Sequence, residues 1–209
     1  MSDSKEEETK VILVGESGVG KTNLINIITG GDFNENENST SAASFLMKEL
    51  KVKDKDYTIQ LWDTIGNEGL RQLTKLFYNN SKIAIFVYDI TRKMTFEELK
   101  NFWINDVEEK LGKDIIRGIV GNKIDLIFEE QVSEEEGEEY AKSIGALFLA
   151  TSAKTDSPKK FEGFLTKLFE QYLNKNEAIQ TGMKNHKKEK NIVLNNKKNI
   201  AGRNGKKCC

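Results

Sequence analysis

The sequence predicts an α/β protein: a mostly parallel β-sheet with helices packed on both of its faces. Short runs rich in Val, Ile and Phe alternate with amphipathic stretches along most of the chain, the order that a parallel sheet with crossover helices requires. Several of these runs are continuously apolar, as strands covered on both faces tend to be. A further stretch, GESGVGKT (15–22), joins the first apolar run to the first amphipathic one. Ligands of such sheets sit at the carboxyl ends of the strands, which is where this segment falls.

In chain order the predicted strands are KVILVG (10–15), SFLMKELKV (44–52), YTIQLWD (57–63), IAIFVYDI (83–90), IIRGIVGN (115–122) and ALFLATS (146–152). The second and third alternate better and are joined by the charged, turn-prone KDKD (53–56), which reads as an antiparallel hairpin. Helices are predicted over 21–29, 69–80, 95–110, 133–144 and 158–174. The last opens on Ser157-Pro158, an N-cap followed by proline in the first turn. The segment GGDFNENENSTSAAS (30–44) is expected to be unstructured: it is polar, low in complexity and long for a loop in a compact domain, a length that goes with function. From about Asn174 the chain is rich in Lys and Asn and is expected to be unstructured.

Composition narrows the chemistry. The only cysteines are Cys208 and Cys209 and the only histidine is His186, in the polar tail. That excludes a disulfide framework and a catalytic apparatus built on buried Cys or His. No apolar run approaches the roughly 18 residues that span a bilayer, and the start MSDSKEEETK is acidic, unlike a signal peptide. The chain is therefore expected in the cytosol. Its net charge of −1 conceals an asymmetry. Residues 183–209 hold eight Lys and one Arg against one Glu, a net of +8, which leaves −9 on residues 1–182. An acidic globule with a basic tail implies that the tail has a partner of its own.

GESGVGKT fits the phosphate-binding template G-x-x-x-x-G-K-[ST] at every fixed position, and it follows a strand and opens a helix. Gly15, Gly18 and Gly20 let the backbone wrap phosphates with amides pointing inward. Lys21 puts a cation on the outer phosphates, Thr22 can give its hydroxyl to Mg²⁺, and the helix N-terminus adds its dipole. Ser17, Val19 and Asn23 complete the stretch expected to touch the nucleotide. The choice of base is written further on, in NKID (122–125) and TSAK (151–154), each ending a strand. The Asp125 carboxylate matches the N1–H and 2-amino donors of guanine and not the edge of adenine. Asn122 can tie neighbouring loops and reach the purine, and the Lys123 stem can lie against the base. The Ala153 amide can donate to O6, with Ser152 and Lys154 beside it. Each tetrapeptide alone could be a surface turn. A phosphate-loop kinase or ATPase would leave both unexplained.

Together these pieces resemble the small Ras-like GTPases, and in detail their Rab branch. The similarity runs from about Lys10 to Asn174 and includes WDT (62–64) and VYDIT (87–91), with RQLT (71–74) and FYNN (77–80) matching more loosely. The resemblance implies the small GTPase (P-loop NTPase) fold, a six-stranded mostly parallel sheet flanked by five helices. It divides the chain into an acidic extension (1–9), a GTP-binding domain (10–174) and a flexible basic hypervariable tail (175–209). The implied cofactors are GTP/GDP and Mg²⁺. Thr40 falls where the first switch loop offers a threonine to Mg²⁺ and the γ-phosphate, and Phe33 where an aromatic covers guanine. Asp63 would hold Mg²⁺ through a water, and the Gly66 amide would meet the γ-phosphate. Phe45, Trp62 and Phe77 resemble the aromatic cluster that effectors read, although plain packing between switches would place them equally well. Effectors, an exchange factor and a GAP are the implied partners of the switch regions.

Departures from the family pattern concentrate in WDTIGNE (62–68). Asn67 stands where glutamine is usual, Ile65 where a small alanine is, and Gly69 replaces the arginine that often follows the glutamate. In the first switch Ala42 occupies a common glycine position. With Lys21 and Thr40, Asn67 would form the catalytic set. Glutamine orients the attacking water in this class. Asparagine has the same amide but reaches about 1.5 Å less, by ordinary bond lengths. A misplacement of that order costs roughly a hundredfold. The expectation is intact nucleotide binding with slow intrinsic hydrolysis; the alternative is a non-hydrolysing module locked with GTP.

The ending KKCC resembles the double geranylgeranylation signal of Rabs on Cys208 and Cys209. Two lipid chains anchor stably, and nearby lysines attract anionic lipids. Prenylation machinery and GDI are the implied tail partners, and the cytoplasmic face of an intracellular membrane, with a cytosolic pool, the implied location. A disordered tail with two free thiols, or a nuclear or nucleic-acid patch, is the competing reading. With this domain in front lipidation is favoured and no nucleic-acid partner is expected.

Overall fold

A computed structural model describes residues 8–37, 40, 42–66 and 74–203, with the backbone alone beyond residue 181. The chain divides into two units, Met1–Glu170 and Gln171–Cys209. In the first, six strands form one sheet in the order β2-β3-β1-β4-β5-β6. They are β1 (Thr9–Val14), β2 (Ser44–Val52), β3 (Lys55–Asp63), β4 (Ile83–Asp89), β5 (Ile116–Asn122) and β6 (Leu147–Thr151). Every pairing is parallel except β2 with β3. All six expected strands are present within two residues of their expected ends.

Burial follows position in the sheet. Every residue of β4 is buried, whereas the first four residues of the edge strand β2 are exposed. One face of the sheet carries Ile12, Val14, Ala84, Phe86, Tyr88 and Ile119 into a single core with Trp103 and Phe96. Their neighbours of opposite parity, such as Val11, Leu13, Ile85 and Val87, are equally buried and point to the other face. The β2–β3 turn is tighter than the four residues of KDKD: Lys53 and Asp54 alone connect the strands, and Lys55 and Asp56 already pair. Both turn residues have positive φ, 50° and 61°, which matches a two-residue turn twisted like the strands it joins.

Among the described residues three α-helical elements lie between strands and a fourth follows β6. α1 (Lys21–Ile28) follows the phosphate-loop sequence. α2 combines an α-helical piece (Lys93–Glu98), a π-helical turn (Leu99–Trp103) and a second α-helical piece (Ile104–Leu111). α3 (Glu134–Ser143) starts at Ser133, whose side chain accepts the Glu136 amide. α4 runs over Pro158–Arg203. Of the helix expected over 69–80, the described part is Thr74 with the 3₁₀ turn Lys75–Phe77. In the first unit Phe161, Phe164, Leu165, Leu168 and Phe169 form the buried stripe of α4.

Two segments differ from the sequence reading. The backbone of the second unit is helical as far as Arg203, where an unstructured chain was expected from about Asn174. Local chemistry permits this: the only proline is Pro158, and Lys, Glu, Gln and Ala are good helix formers. The polar loop after α1 is also tied down. The Asn34 amide donates to Asn23 Oδ1 at 2.8 Å, and Asn23 Nδ2 donates back to the Asn34 carbonyl at 2.9 Å.

Candidate functional site

The sheet reverses its direction of winding at β1, which pairs with β3 on one side and β4 on the other. Open α/β sheets bind ligands outside the strand ends at such a point. A cavity of about 310 Å³ lies there. The loop after β1 forms its floor. Gly15 has φ 149°, and a Cβ there would lie 2.2 Å from the Val87 carbonyl oxygen, so only glycine lets β1 and β4 close up at this point. Lys21 is buried and its Nζ donates to the carbonyls of Gly15 (2.8 Å) and Glu16 (3.0 Å), which aims the ammonium back over the loop. Burial lowers its pKa to about 8, although Asp63 and Glu16 act in the opposite sense; Arg92 lowers it further. A cation so poorly solvated gains by meeting an anion.

Beyond Lys21 three oxygens converge. Thr22 Oγ1 donates to Asp63 Oδ2 at 2.7 Å, Thr40 Oγ1 lies 3.2 Å from the same oxygen, and the two hydroxyls are 3.1 Å apart. Burial raises the Asp63 pKa against the hydrogen bonds from Thr22 and Thr40 and the charge of Lys21. Its other oxygen, Oδ1, is buried and has no hydrogen-bond partner among the described residues. Gly66 presses on the same place: a Cβ on it would fall 2.5 Å from Lys21 Nζ and 2.7 Å from the Gly15 carbonyl oxygen.

The opposite wall comes from the ends of β5 and β6. Asn122 Nδ2 donates to the Val19 carbonyl at 2.8 Å, and its Oδ1 accepts the Ala153 amide at 3.1 Å. One side chain thus joins three loops. Asp125 Oδ1 accepts the Ser152 hydroxyl at 2.6 Å, and that hydroxyl accepts the amides of Lys154 and Thr155. Phe33 lines the cavity with the Lys154 ammonium 5.9 Å from its ring centre, and Lys154 also pairs with Glu35 at 3.0 Å.

Most residues singled out in the sequence therefore meet. Ser17, Gly18, Gly20, Lys21, Thr22 and Asn23 line the cavity from the floor. Phe33, Thr40 and Gly66 line it from the loops after α1 and β3, and Asn122, Lys123, Asp125, Ala153 and Lys154 from the far wall. Gly15, Val19, Asp63 and Ser152 stand immediately behind and act through the bonds just given. Asn67, Cys208 and Cys209 lie outside the described residues.

The family model for the Ras family matches residues 10–198. This chain belongs to the Ras family, in its Rab branch. It is 44% identical over 145 residues to human Ras-related protein Rab-21, an alignment covering 69% of this chain and 64% of that protein. With human Rab-22A the identity is 40% over 147 residues, covering 70% of this chain and 75% of the relative. The match thus spans a little under two thirds of the length of Rab-21.

Guanine nucleotide with Mg²⁺ is the cofactor pair of the Ras family, and the residues present fit both. Two hydroxyls and a carboxylate are the hard oxygen donors that Mg²⁺ takes, and the orphaned Asp63 Oδ1 is an acceptor awaiting a partner. The Rab-like aromatic group is real in geometry as well. Phe45 stacks on Trp62 with centroids 4.9 Å apart, and Phe77 lies 6.1 Å from Trp62. Phe45, Leu46, Met47 and Leu76 are exposed around it.

Some residues of the site were not singled out beforehand. Asn34, Glu35, Glu37 and Leu126 also line the cavity, and Asp89, Arg92 and Asp156 hold its walls from behind. Asp89 was visible inside VYDIT, where a lone buried acid closing an apolar strand is a signal. Arg92 gave none, because its role depends on where Ser17 comes to lie.

Proposed function

We propose that this Ras-family protein is a GTP/GDP switch that binds GTP, hydrolyses it to GDP and phosphate, and recruits effectors in membrane trafficking. The observation that supports this best is the joining of phosphate floor and base wall by one side chain, Asn122, around a cavity of nucleotide size. Gly15, Ser17, Gly18, Val19 and Gly20 hold the phosphates through backbone amides, and Lys21 answers their charge. The Asp125 carboxylate, oriented by the Ser152 hydroxyl, reads the guanine N1–H and 2-amino group, and the Ala153 amide reads O6. Asn23, Phe33, Lys123 and Lys154 enclose base and ribose. Thr22, Thr40 and Asp63 would hold Mg²⁺, which neutralises charge on the outer phosphates. The Gly66 amide meets the γ-phosphate, so the loops carrying Thr40 and Gly66 answer its presence or loss.

By the family resemblance Asn67 would orient the attacking water, one methylene short of the usual glutamine, and intrinsic hydrolysis would be slow for that reason. The tail from about residue 175 carries a lipid anchor on Cys208 and Cys209, supported by its lysines, and holds the protein on the cytoplasmic face of an intracellular membrane. Prenylation machinery and GDI serve that tail, and the face around Phe45, Trp62 and Phe77 meets effectors, an exchange factor and a GAP.

Single-turnover GTP hydrolysis by the purified protein with Mg²⁺, beside Asn67→Gln, tests the catalytic part. The expected outcome is a wild-type rate roughly a hundredfold below that of the variant. Equal rates would remove Asn67 from the account of hydrolysis. Absence of hydrolysis in both, with GTP still bound, would make the protein a GTP-held binding module instead.

A further inference from the structure

Behind the cavity wall sits a carboxylate that the proposed chemistry does not use. Asp89 closes β4 and is almost completely buried. Its Oδ1 accepts both the amide (3.0 Å) and the hydroxyl (2.7 Å) of Thr91. Its Oδ2 accepts Lys123 Nζ at 2.8 Å and Arg92 Nε at 3.0 Å. Burial pushes the Asp89 pKa up, but the hydrogen bonds from Lys123 and Thr91 outweigh it and hold the group below the usual carboxylate range. One fixed anion therefore holds two cations that leave in different directions.

Lys123 belongs to the base wall. Arg92 goes the other way: its Nη2 donates to the Ser17 carbonyl at 3.0 Å and lies 3.5 Å from where a Gly18 Cβ would be. The guanidinium thus spans from a buried carboxylate to the outer side of the phosphate loop. Its planar fork makes this possible, with Nε on the acid and Nη2 on the loop. Arg92 is also a charge close enough to act on Lys21, whose pKa it lowers.

We infer that Arg92 is a positioning residue for nucleotide retention, bracing the phosphate loop at Ser17–Gly18 from the anchor Asp89. This rests on the proposed binding of guanine nucleotide in the cavity. A loop whose amides must all point at phosphate loses contacts together when its backbone swings. Arg92 fixes that backbone at the Ser17 carbonyl, next in the chain to the two that Lys21 holds. Because Asp89 also holds Lys123, movement of the phosphate loop and of the base wall is resisted from a single point. Lysine cannot replace the arginine, since one ammonium cannot bond Asp89 and Ser17 in the manner of the fork.

The test follows release of a fluorescent GDP analogue from the full chain in Mg²⁺, for wild type, Arg92→Ala, Arg92→Lys and Lys142→Ala. Lys142 is exposed and pairs with Glu138 on α3. The expected result is release about ten- to hundredfold faster in both Arg92 variants, the range for losing one charge-assisted hydrogen bond. Lys142→Ala should release at the wild-type rate. Arg92→Lys, which keeps a cation beside the buried Asp89, should keep the wild-type melting temperature in nucleotide-free protein, whereas Arg92→Ala takes a partner from that carboxylate and should melt lower. Fast release at an unchanged melting temperature in Arg92→Lys separates the loop brace from a general loss of stability. Wild-type release rates in Arg92→Ala, or full recovery in Arg92→Lys, would overturn the inference while leaving nucleotide binding intact. Failure of wild type itself to retain the analogue would instead overturn the proposed function.

Discussion

The two walls of the cavity are built on different principles. The wall of Asn122, Asp125 and Ser152 is closed on itself: Val19, Ala153, Lys154 and Thr155 each give or take a hydrogen bond from it within the protein. The wall of Thr22, Thr40 and Asp63 is held by three oxygens that bond chiefly to each other, with one buried carboxylate oxygen left over among the described residues. The first is a fixed template, costly to disturb because every lost partner leaves a buried group unsatisfied. The second is complete only with something added. A protein that must hold a base tightly and answer a phosphate needs both kinds of wall.

Breaking the fixed wall should give the largest effect. Asn122→Ala removes two buried hydrogen bonds and strands the Val19 carbonyl and the Ala153 amide. Each stranded group costs about 1–3 kcal/mol. The expected loss in GDP affinity is roughly a hundred- to several-thousandfold, with a lower melting temperature in the nucleotide-free protein too. Titration calorimetry and a thermal scan measure both. Loss of affinity with an unchanged melting temperature would mean that Asn122 reads the base without holding the wall.

How far this contrast could be read in the sequence depended on where the information lay. Strands such as Ile83–Asp89 were legible because their apolar runs are local, and GESGVGKT because its role is fixed by spacing within eight residues. The joining of Val19, Asn122 and Ala153 was half legible: the motifs named the residues, and only the fold brought them within 3.1 Å. Arg92 was not singled out, since an arginine bonded to a carbonyl 75 positions away leaves no periodic trace. The π-helical turn Leu99–Trp103 was equally hidden, and it sets Trp103 to donate to Glu16 Oε1 at 2.8 Å. Asn67, expected from the sequence to serve hydrolysis, lies outside the described residues.

A gentler perturbation acts on the floor that both walls share. The Lys21 pKa of about 8 in the empty site lies well below its ordinary value, and phosphate in contact with the ammonium must raise it. Binding therefore takes up a proton where the empty site has lost one, and affinity falls as pH rises through 8. Between pH 7 and 9 the protonated fraction of the free protein drops about tenfold, and so should GDP affinity. The same shift has the opposite sign for folding: above pH 8 the unfolded chain keeps a proton that the empty native site has lost, so that contribution to stability rises with pH. A flat affinity profile over this range would show that Lys21 stays charged in the empty site.

The smallest expected effect sharpens the contrast from the other side. Thr40→Ala deletes a half-buried hydroxyl that sits at the longest of the three distances, 3.2 Å from Asp63. The shorter bond from Thr22 to the same oxygen remains, and the loop carrying Thr40 stays fastened upstream by the reciprocal pair Asn23–Asn34. Nothing fully buried loses its only partner, so the cost should stay near the roughly 0.5 kcal/mol of an ordinary surface change. GDP affinity should then shift no more than about twofold, the same 0.5 kcal/mol in other units. Titration of the variant beside Asn122→Ala makes the comparison directly. Comparable losses in the two would mean that the switch wall carries GDP binding as heavily as the base wall, and that the division between a fixed template and a responsive face is wrong.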